Sequence, residues 1–185
     1  MGARDRWIDF IHKTASGNST IKPLLTLIAF ISFSSFITFV IVVSIRLDKF
    51  FNFPRLVPVA WNPYISWPIL ITGILLMLWS VLHFLMARGT PVPLDPPPEL
   101  VESGPYAYAR NPMFSGLLIA LLGLGLSLGS ISLTFIFMPL LVILAFLFVK
   151  GIEEPEAEKR LGIAYIEYKK RVPMFWPRLK GKSKR

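Results

Sequence analysis

Two short polar stretches in a mainly apolar chain hold the residue types that can do chemistry. The first is Tyr106-Ala-Tyr108-Ala-Arg110-Asn111-Pro112. Asn before Pro is a helix-start signal, with Asn at the cap and Pro at the first helical position. Free N–H groups and the helix dipole favour an anion at such a terminus, so an Arg beside it makes a carboxylate or phosphate site. In the competing reading Arg110 snorkels toward the headgroups and the tyrosines belong to an aromatic belt. The second stretch is Lys150-Gly-Ile-Glu153-Glu154-Pro155. Adjacent carboxylates can accept hydrogen bonds from vicinal hydroxyls or an ammonium group. Alternatively, Glu154 caps a new helix with Pro155 at its first position, and Glu156 and Glu158 complement the dipole. That alternative accounts for Glu154 and leaves Glu153 unexplained.

Other chemistry is excluded or poorly supported. The chain has no Cys, so disulfides, thiolate nucleophiles and Cys-ligated metals are ruled out. No metal-ligand cluster stands out. The net charge of +9 comes without a groove-reading or base-stacking motif, so no nucleic-acid partner is expected. His83 is the only ionisable group deep in the second apolar run. It is either a base for an amine substrate or a structural hydrogen bond within a helix bundle.

These segments must be positioned by membrane helices. The chain has 185 residues, 54% hydrophobic and 17% charged, with mean hydropathy +0.58; a soluble domain carries about 25% charged residues. Charge-free runs cover 22 residues from Leu24 to Ile45, 32 from Leu56 to Ala87 and 39 from Asn111 to Val149. A crossing needs about 20 apolar residues, so the runs allow one, one and two crossings. The expected fold is all-α: one polytopic membrane domain over residues 1–185, with helices at 24–45, 67–87, 113–128 and 131–149. The stretch before Trp67 reads as an interfacial loop. Gly123, Gly125 and Gly129, with Ser127 and Ser130, are expected to break the third run into a hairpin. The first run is too long for a leader's apolar core and reads as a retained helix. Before it, Trp7, Phe10 and Ile11 share a face of a short interfacial helix or belong to a frayed tail.

With four crossings, 17 Lys and Arg fall on the side of both termini and only 3 on the other. The positive-inside rule makes the first side cytosolic. Residues 88–112 and 150–178 are then cytosolic together. The six prolines from Pro91 to Pro105 stiffen the first of these segments. The second contains an amphipathic helix with Ala157, Leu161, Ala164, Tyr165, Tyr168 and Val172 on one stripe. Pro173–Arg178 reads as an interfacial anchor, followed by a basic tail.

The ordered elements Gly104-Pro-Tyr106-Ala-Tyr-Ala-Arg110-Asn-Pro112-Met-Phe-Ser-Gly116, an apolar hairpin, Glu153-Glu154, and Gly162-Ile-Ala-Tyr165-Ile-Glu-Tyr168-Lys-Lys-Arg171-Val-Pro173 resemble the isoprenylcysteine carboxyl methyltransferase and phospholipid methyltransferase superfamily. Gly89-Thr-Pro91-Val-Pro93 is also similar to many prokaryotic members. The resemblance implies a methyltransferase using S-adenosylmethionine, bound between the two cytosolic segments. By motif position, Arg110 and Asn111 would act at the donor's carboxylate end and at the reacting centre. Glu153 and Glu154 would serve the ribose or amino group. Tyr106, Tyr108, Pro112, Gly116, Tyr165 and Tyr168 would complete the cofactor site. Two departures, Asn111 in place of the usual His and Phe114 in place of the usual Tyr, count against prenylcysteine itself as substrate. The expected acceptor is a lipid or other amphipathic molecule, its head near Arg110 and its tail along the second or fourth helix. An NADPH-dependent sterol or steroid reductase shares a similar Arg-(His/Asn)-Pro element, and a scaffold or transporter is the non-enzymatic alternative.

Overall fold

The computed structural model describes residues 2–16, 22–56, 58–90, 92 and 94–176. Pro91, Pro93 and the basic tail from Pro177 onward lie outside the described residues. All regular structure described is helical. A short helix α1 (Ala3–Ser16) precedes the long α2 (Lys22–Phe50) and α3 (Asn62–Met86). A loop containing one 3-10 turn (Gly104–Ala107) leads to α4 (Pro112–Leu128). A final rod follows: a π-helical segment Ser132–Phe137, α5 (Met138–Phe148), a second π segment Val149–Glu153, and α6 (Glu154–Leu161). The last helix is α7 (Ile163–Arg171). Three helical stretches are long and apolar enough to cross a membrane, Lys22–Phe50, Asn62–Met86 and Ser132–Leu161, and α4 is a shorter apolar fourth. The chain is a polytopic integral membrane protein.

The helices differ from the sequence expectation at their ends, and each difference has a local cause. α2 runs past Ile45 through Arg46, Asp48 and Lys49. Charge ends the apolar stretch there, while the helix continues to where Asp48 can reach the next hairpin. Asp48 accepts hydrogen bonds from the Ser130 hydroxyl and from Ser132 N at 2.9 Å, supplying an acceptor at the start of the final rod. α3 starts at Asn62, five residues before the expected Trp67, so residues 62–66 are helical. Pro63 enters in the first turn, where its missing N–H costs nothing. Asn62 Nδ2 donates to Ser127 O at 3.0 Å, tying the start of α3 to the end of α4.

Gly123 and Gly125 do not break α4; the helix runs to Leu128 and turns at Gly129. Glycine serves there as a packing surface. A Cβ on Gly73 would fall 2.2 Å from Ala120 N, one on Gly116 would fall 2.6 Å from Met77 N, and one on Gly123 would fall 2.4 Å from Leu70 N. α3 and α4 therefore meet backbone to backbone, as small residues permit between membrane helices. α4 is the central helix, and Leu118 and Leu121 join Val40, Leu133, Met138 and Leu141 in the core.

The fourth span does not stop at Val149. It continues without a break through the second π segment into α6. Pro155 lacks an N–H and its ring would crowd the preceding turn of a regular α-helix; a π turn just before it widens the helix and relieves that crowding. The rod thus carries Glu153, Glu154 and Glu156 out of the apolar region on one element. Gly162, at φ 60° and ψ −135°, then reverses the chain into α7. α1, the 88–111 loop, α6 and α7 all gather at the same end of the bundle. On α1 it is Ile8 and Ile11 that are buried, whereas Trp7 and Phe10 of the expected face are 55% and 46% exposed. The inward face is set by α6, to which Asp9 is ion-paired through Lys159.

Candidate functional site

A cavity of about 130 Å³ opens at this end, walled by the 90–101 loop, the start of α4, the second π segment, α6 and α7. Of the residues singled out from sequence, Tyr106, Arg110, Asn111, Glu153, Tyr165 and Tyr168 line it. Tyr108, Pro112, Gly116 and Glu154 do not. Tyr108 is 62% exposed. Pro112 is buried at the start of α4, and Gly116 is occupied by the α3 contact described above. His83 also lies off the cavity. Its Nδ1 is 3.0 Å from Trp79 O, and its ring packs where a Cβ of Gly104 would sit.

The backbone N–H groups just before α4 are taken up by the segment after α7. Arg110 N donates to Pro173 O at 2.8 Å and Asn111 N to Met174 O at 2.9 Å. Ser115 Oγ donates to Phe175 O at 2.7 Å. The segment after α7 is therefore a clamp on the entry to α4, rather than only an interfacial anchor. Asn111 takes the cap position, but its side chain makes no capping bond. Nδ2 of Asn111 and Nε of Arg110 are instead buried donors without a hydrogen-bond partner. Buried donors are rarely left unpaired, and both belong to cavity-lining residues.

The two adjacent glutamates part company. Glu154 is 2% exposed, bonds Arg110 Nη1 through Oε1, and meets Lys169 Nζ at 2.6 Å through Oε2. Its carboxylate is committed inside the protein, and this pairing raises the Lys169 ammonium above its ordinary range. Glu154 does not serve as a side-chain cap, because the helix has no break there to cap. Glu153 lines the cavity, and no ion pair to it occurs among the described residues. One turn on, Glu156 accepts from Arg160 Nε at 3.0 Å, and Arg160 Nη1 donates to Pro97 O at 2.7 Å. This pair ties the proline-rich loop to α6. Both residues line the cavity; from sequence, Glu156 reads only as a complement to the helix dipole and Arg160 has no site role. Reading the fourth helix as unbroken would have found Glu156, which lies three residues after Glu153 on the same face.

Aromatic rings close the remaining walls. Phe84 stacks on Tyr106 at 4.6 Å between centroids and 9° between planes, and Tyr168 Oη donates to Tyr106 O at 2.7 Å. Burial pushes the Tyr165 hydroxyl up to about 12; nearby Glu154 adds to this and Arg110 opposes it. Tyr106 and Tyr168 are raised further, again chiefly by burial. All three are neutral hydrogen-bonding groups at physiological pH. Met113 and Phe114, from the first turn of α4, add apolar wall.

The arrangement can hold a zwitterion with a flat ring. It offers two unpaired donors for a carboxylate, one carboxylate without a cation for an ammonium or hydroxyls, and an aromatic and apolar lining. No group of three or more metal-ligating side chains occurs among the described residues. A family model described as phospholipid methyltransferase matches residues 61–163, more than half of the chain. No curated protein and no solved structure matches it.

Proposed function

The chain belongs to the phospholipid methyltransferase family, and from that premise we propose that it transfers a methyl group from S-adenosylmethionine to a lipid or other amphipathic acceptor at the cytosolic face of the membrane. Membership makes it a membrane methyltransferase acting on lipids; the donor, the side of the membrane and the residue roles are proposed here. The observation that carries the proposal is the pairing in one cavity of the free donors Arg110 Nε and Asn111 Nδ2 with the cation-free carboxylate of Glu153. S-adenosylmethionine presents the complement: a carboxylate, an ammonium, a ribose with vicinal hydroxyls and an adenine.

When bound, the donor supplies a methyl already activated on a sulfonium, so transfer requires alignment and exclusion of water more than acid catalysis. Arg110 and Asn111 bind the carboxylate. Glu153 accepts from the ammonium or the ribose hydroxyls. Glu154 touches neither; it fixes the Arg110 guanidinium and is a positioning residue. Phe84, Tyr106, Tyr165 and Tyr168 exclude water from the site. The two cavity arginines are already paired, Arg110 with Glu154 and Arg160 with Glu156. Membership of the phospholipid methyltransferase family is what disfavours the reductase alternative. Parallel calorimetric titrations of the purified protein with S-adenosylmethionine and NADPH test the proposal. Saturable binding of the first alone is expected; binding of NADPH alone would reject it.

A further inference from the structure

α1 lies outside the stretch matched by the family model, which begins at residue 61, yet it is built into the cavity end of the bundle. It packs along α6 and reaches the π segment before it. Two polar contacts fix how the helices meet. Asp9 is paired with Lys159, and His12 Nδ1 lies 3.8 Å from Glu156 Oε1. Three residues forward on α1 correspond to three residues back on α6, so the two helices run antiparallel with one turn of each apposed. Ile8, Ile11 and His12 follow the i, i+3, i+4 spacing of a single face, and both isoleucines are buried.

The contact from His12 reaches a residue that belongs to the cavity. Glu156, Ala157, Arg160 and Leu161 of α6 line it. The Glu156 carboxylate is buried, and its Oε1 meets Arg160 Nε at 3.0 Å as well as His12. Arg160 Nη1 in turn donates to Pro97 O at 2.7 Å. A continuous chain therefore runs from α1 through Glu156 and Arg160 to the proline-rich wall. His12 Nδ1 is buried and makes no hydrogen bond among the described residues. A bare lone pair there would face a carboxylate, so the ring proton belongs on Nδ1, where it presents a donor to Glu156. The separation is an ion-pair distance, about 0.6 Å beyond hydrogen-bond range.

We infer that His12 is a positioning residue of the cavity: its Nδ1–H holds the Glu156 carboxylate, Glu156 holds Arg160, and Arg160 holds the Pro97 wall. That the cavity receives a methyl donor rests on the function proposed above; the hold on the wall does not. The 90–101 loop has no regular structure of its own. The cation that reaches it from α2, Lys22, stands 3.9 Å from Asp95 in a partly exposed pair, which is a weak tie. The Arg160 bond is the shorter and more buried of the two, so loosening Glu156 loosens the wall. The N-terminal helix is thereby part of the site, although no residue of α1 lines the cavity.

The test compares full-length wild type, His12→Leu and His12→Asn in one detergent by peptide hydrogen exchange, calorimetric titration with S-adenosylmethionine and thermal unfolding. Leu keeps an apolar side chain on α1 and removes the donor; Asn returns an amide N–H near the place of Nδ1. His12→Leu should speed exchange in the peptide spanning residues 90–101 and raise the donor Kd roughly 2- to 12-fold, the range of one hydrogen bond. Exchange in α3 and α4, and Tm, should stay near wild type. His12→Asn should restore both the exchange and the affinity. In a Glu156→Gln background His12→Leu should add nothing further, because the chain is already cut. Unchanged exchange at 90–101 in His12→Leu, an Asn variant that behaves as the Leu variant, or exchange raised evenly along the whole chain would overturn the inference. If wild type binds no donor, the proposed activity fails, and the exchange arm by itself decides the role of His12.

Discussion

Glu153→Gln and Glu154→Gln are neighbouring, isosteric changes that should fail in different assays. Glu153 faces the cavity without a cation, so the protein itself loses little when its charge is removed; repulsion from Glu154 and Glu156 is relieved. What is lost is a charge-assisted hydrogen bond to the donor, worth about 1.5–3 kcal/mol, or a roughly 10- to 150-fold weaker affinity. Glu154 is bonded through both oxygens, to Arg110 and to Lys169. The Lys169 side chain is 37% exposed and contributes little, but the Arg110 side chain is only 9% exposed. Removing one partner of a buried pair costs about 3–5 kcal/mol, because the other charge is left uncompensated. In a chain of this size that is a fall in Tm on the order of 10 °C. Calorimetric titration and thermal unfolding of both variants in the same detergent separate the two effects. Glu153→Gln should bind weakly and melt normally; Glu154→Gln should melt early, and its binding should fall only through the loosened Arg110. If Glu153→Gln melts early and binds normally, the division of labour between the two carboxylates is wrong.

Three further outcomes are expected. Accessibility labelling of single cysteines, introduced into this cysteine-free chain, should place residues 50–55 and 128–130 outside and residues 96–99 in the cytosol; the reverse for 96–99 would remove the cytosolic site. Gly116→Leu should abolish accumulation of folded protein, because even a Cβ there lies 2.6 Å from the α3 backbone, whereas Gly151→Ala, with nothing within 4 Å, should leave Tm within a few degrees of wild type; equal behaviour of the two would contradict the close α3–α4 contact. The Tyr165 hydroxyl is raised to about 12 when folded, against about 10 when unfolded. Its stabilising contribution is therefore complete below pH 10 and lost as pH rises toward 12. The alkaline fall in Tm should be shallower in Tyr165→Phe, and an unchanged slope would refute that assignment.

The sequence made Arg110, Asn111 and Glu153 legible because their chemistry is local: rare polar groups at the edges of apolar runs. Three long apolar helices and a shorter fourth were legible for the same reason, since charge-free length is a direct count. Helix ends were not. Asp48 and Asn62 extend α2 and α3 by reaching acceptors and donors 65 or more residues away, and no local pattern encodes such partners. Pro155 suggested a break, yet the π segment carries the helix past it, which hid the cavity-facing positions of Glu156 and Arg160. The same continuity reassigns Glu154 from cap to buried partner. Gly116 belonged to the recognised motif, and its role in the fold emerged only from the approach of α3. On α7, Tyr165 and Tyr168 are buried as the stripe required, while Ala164 is exposed because Gly162 reorients the helix.

Transfer of isotope is the most direct test of the central claim. Purified protein in vesicles of total membrane lipid is incubated with S-adenosylmethionine labelled on its methyl group, and the mixture is partitioned and separated by lipid class. Label should enter the lipid fraction with time, depend on enzyme, and fall in Glu153→Gln in step with the weakened donor affinity. A protein that binds the donor yet leaves all label in the aqueous phase, with every lipid class unlabelled, would contradict methyl transfer to a lipid acceptor.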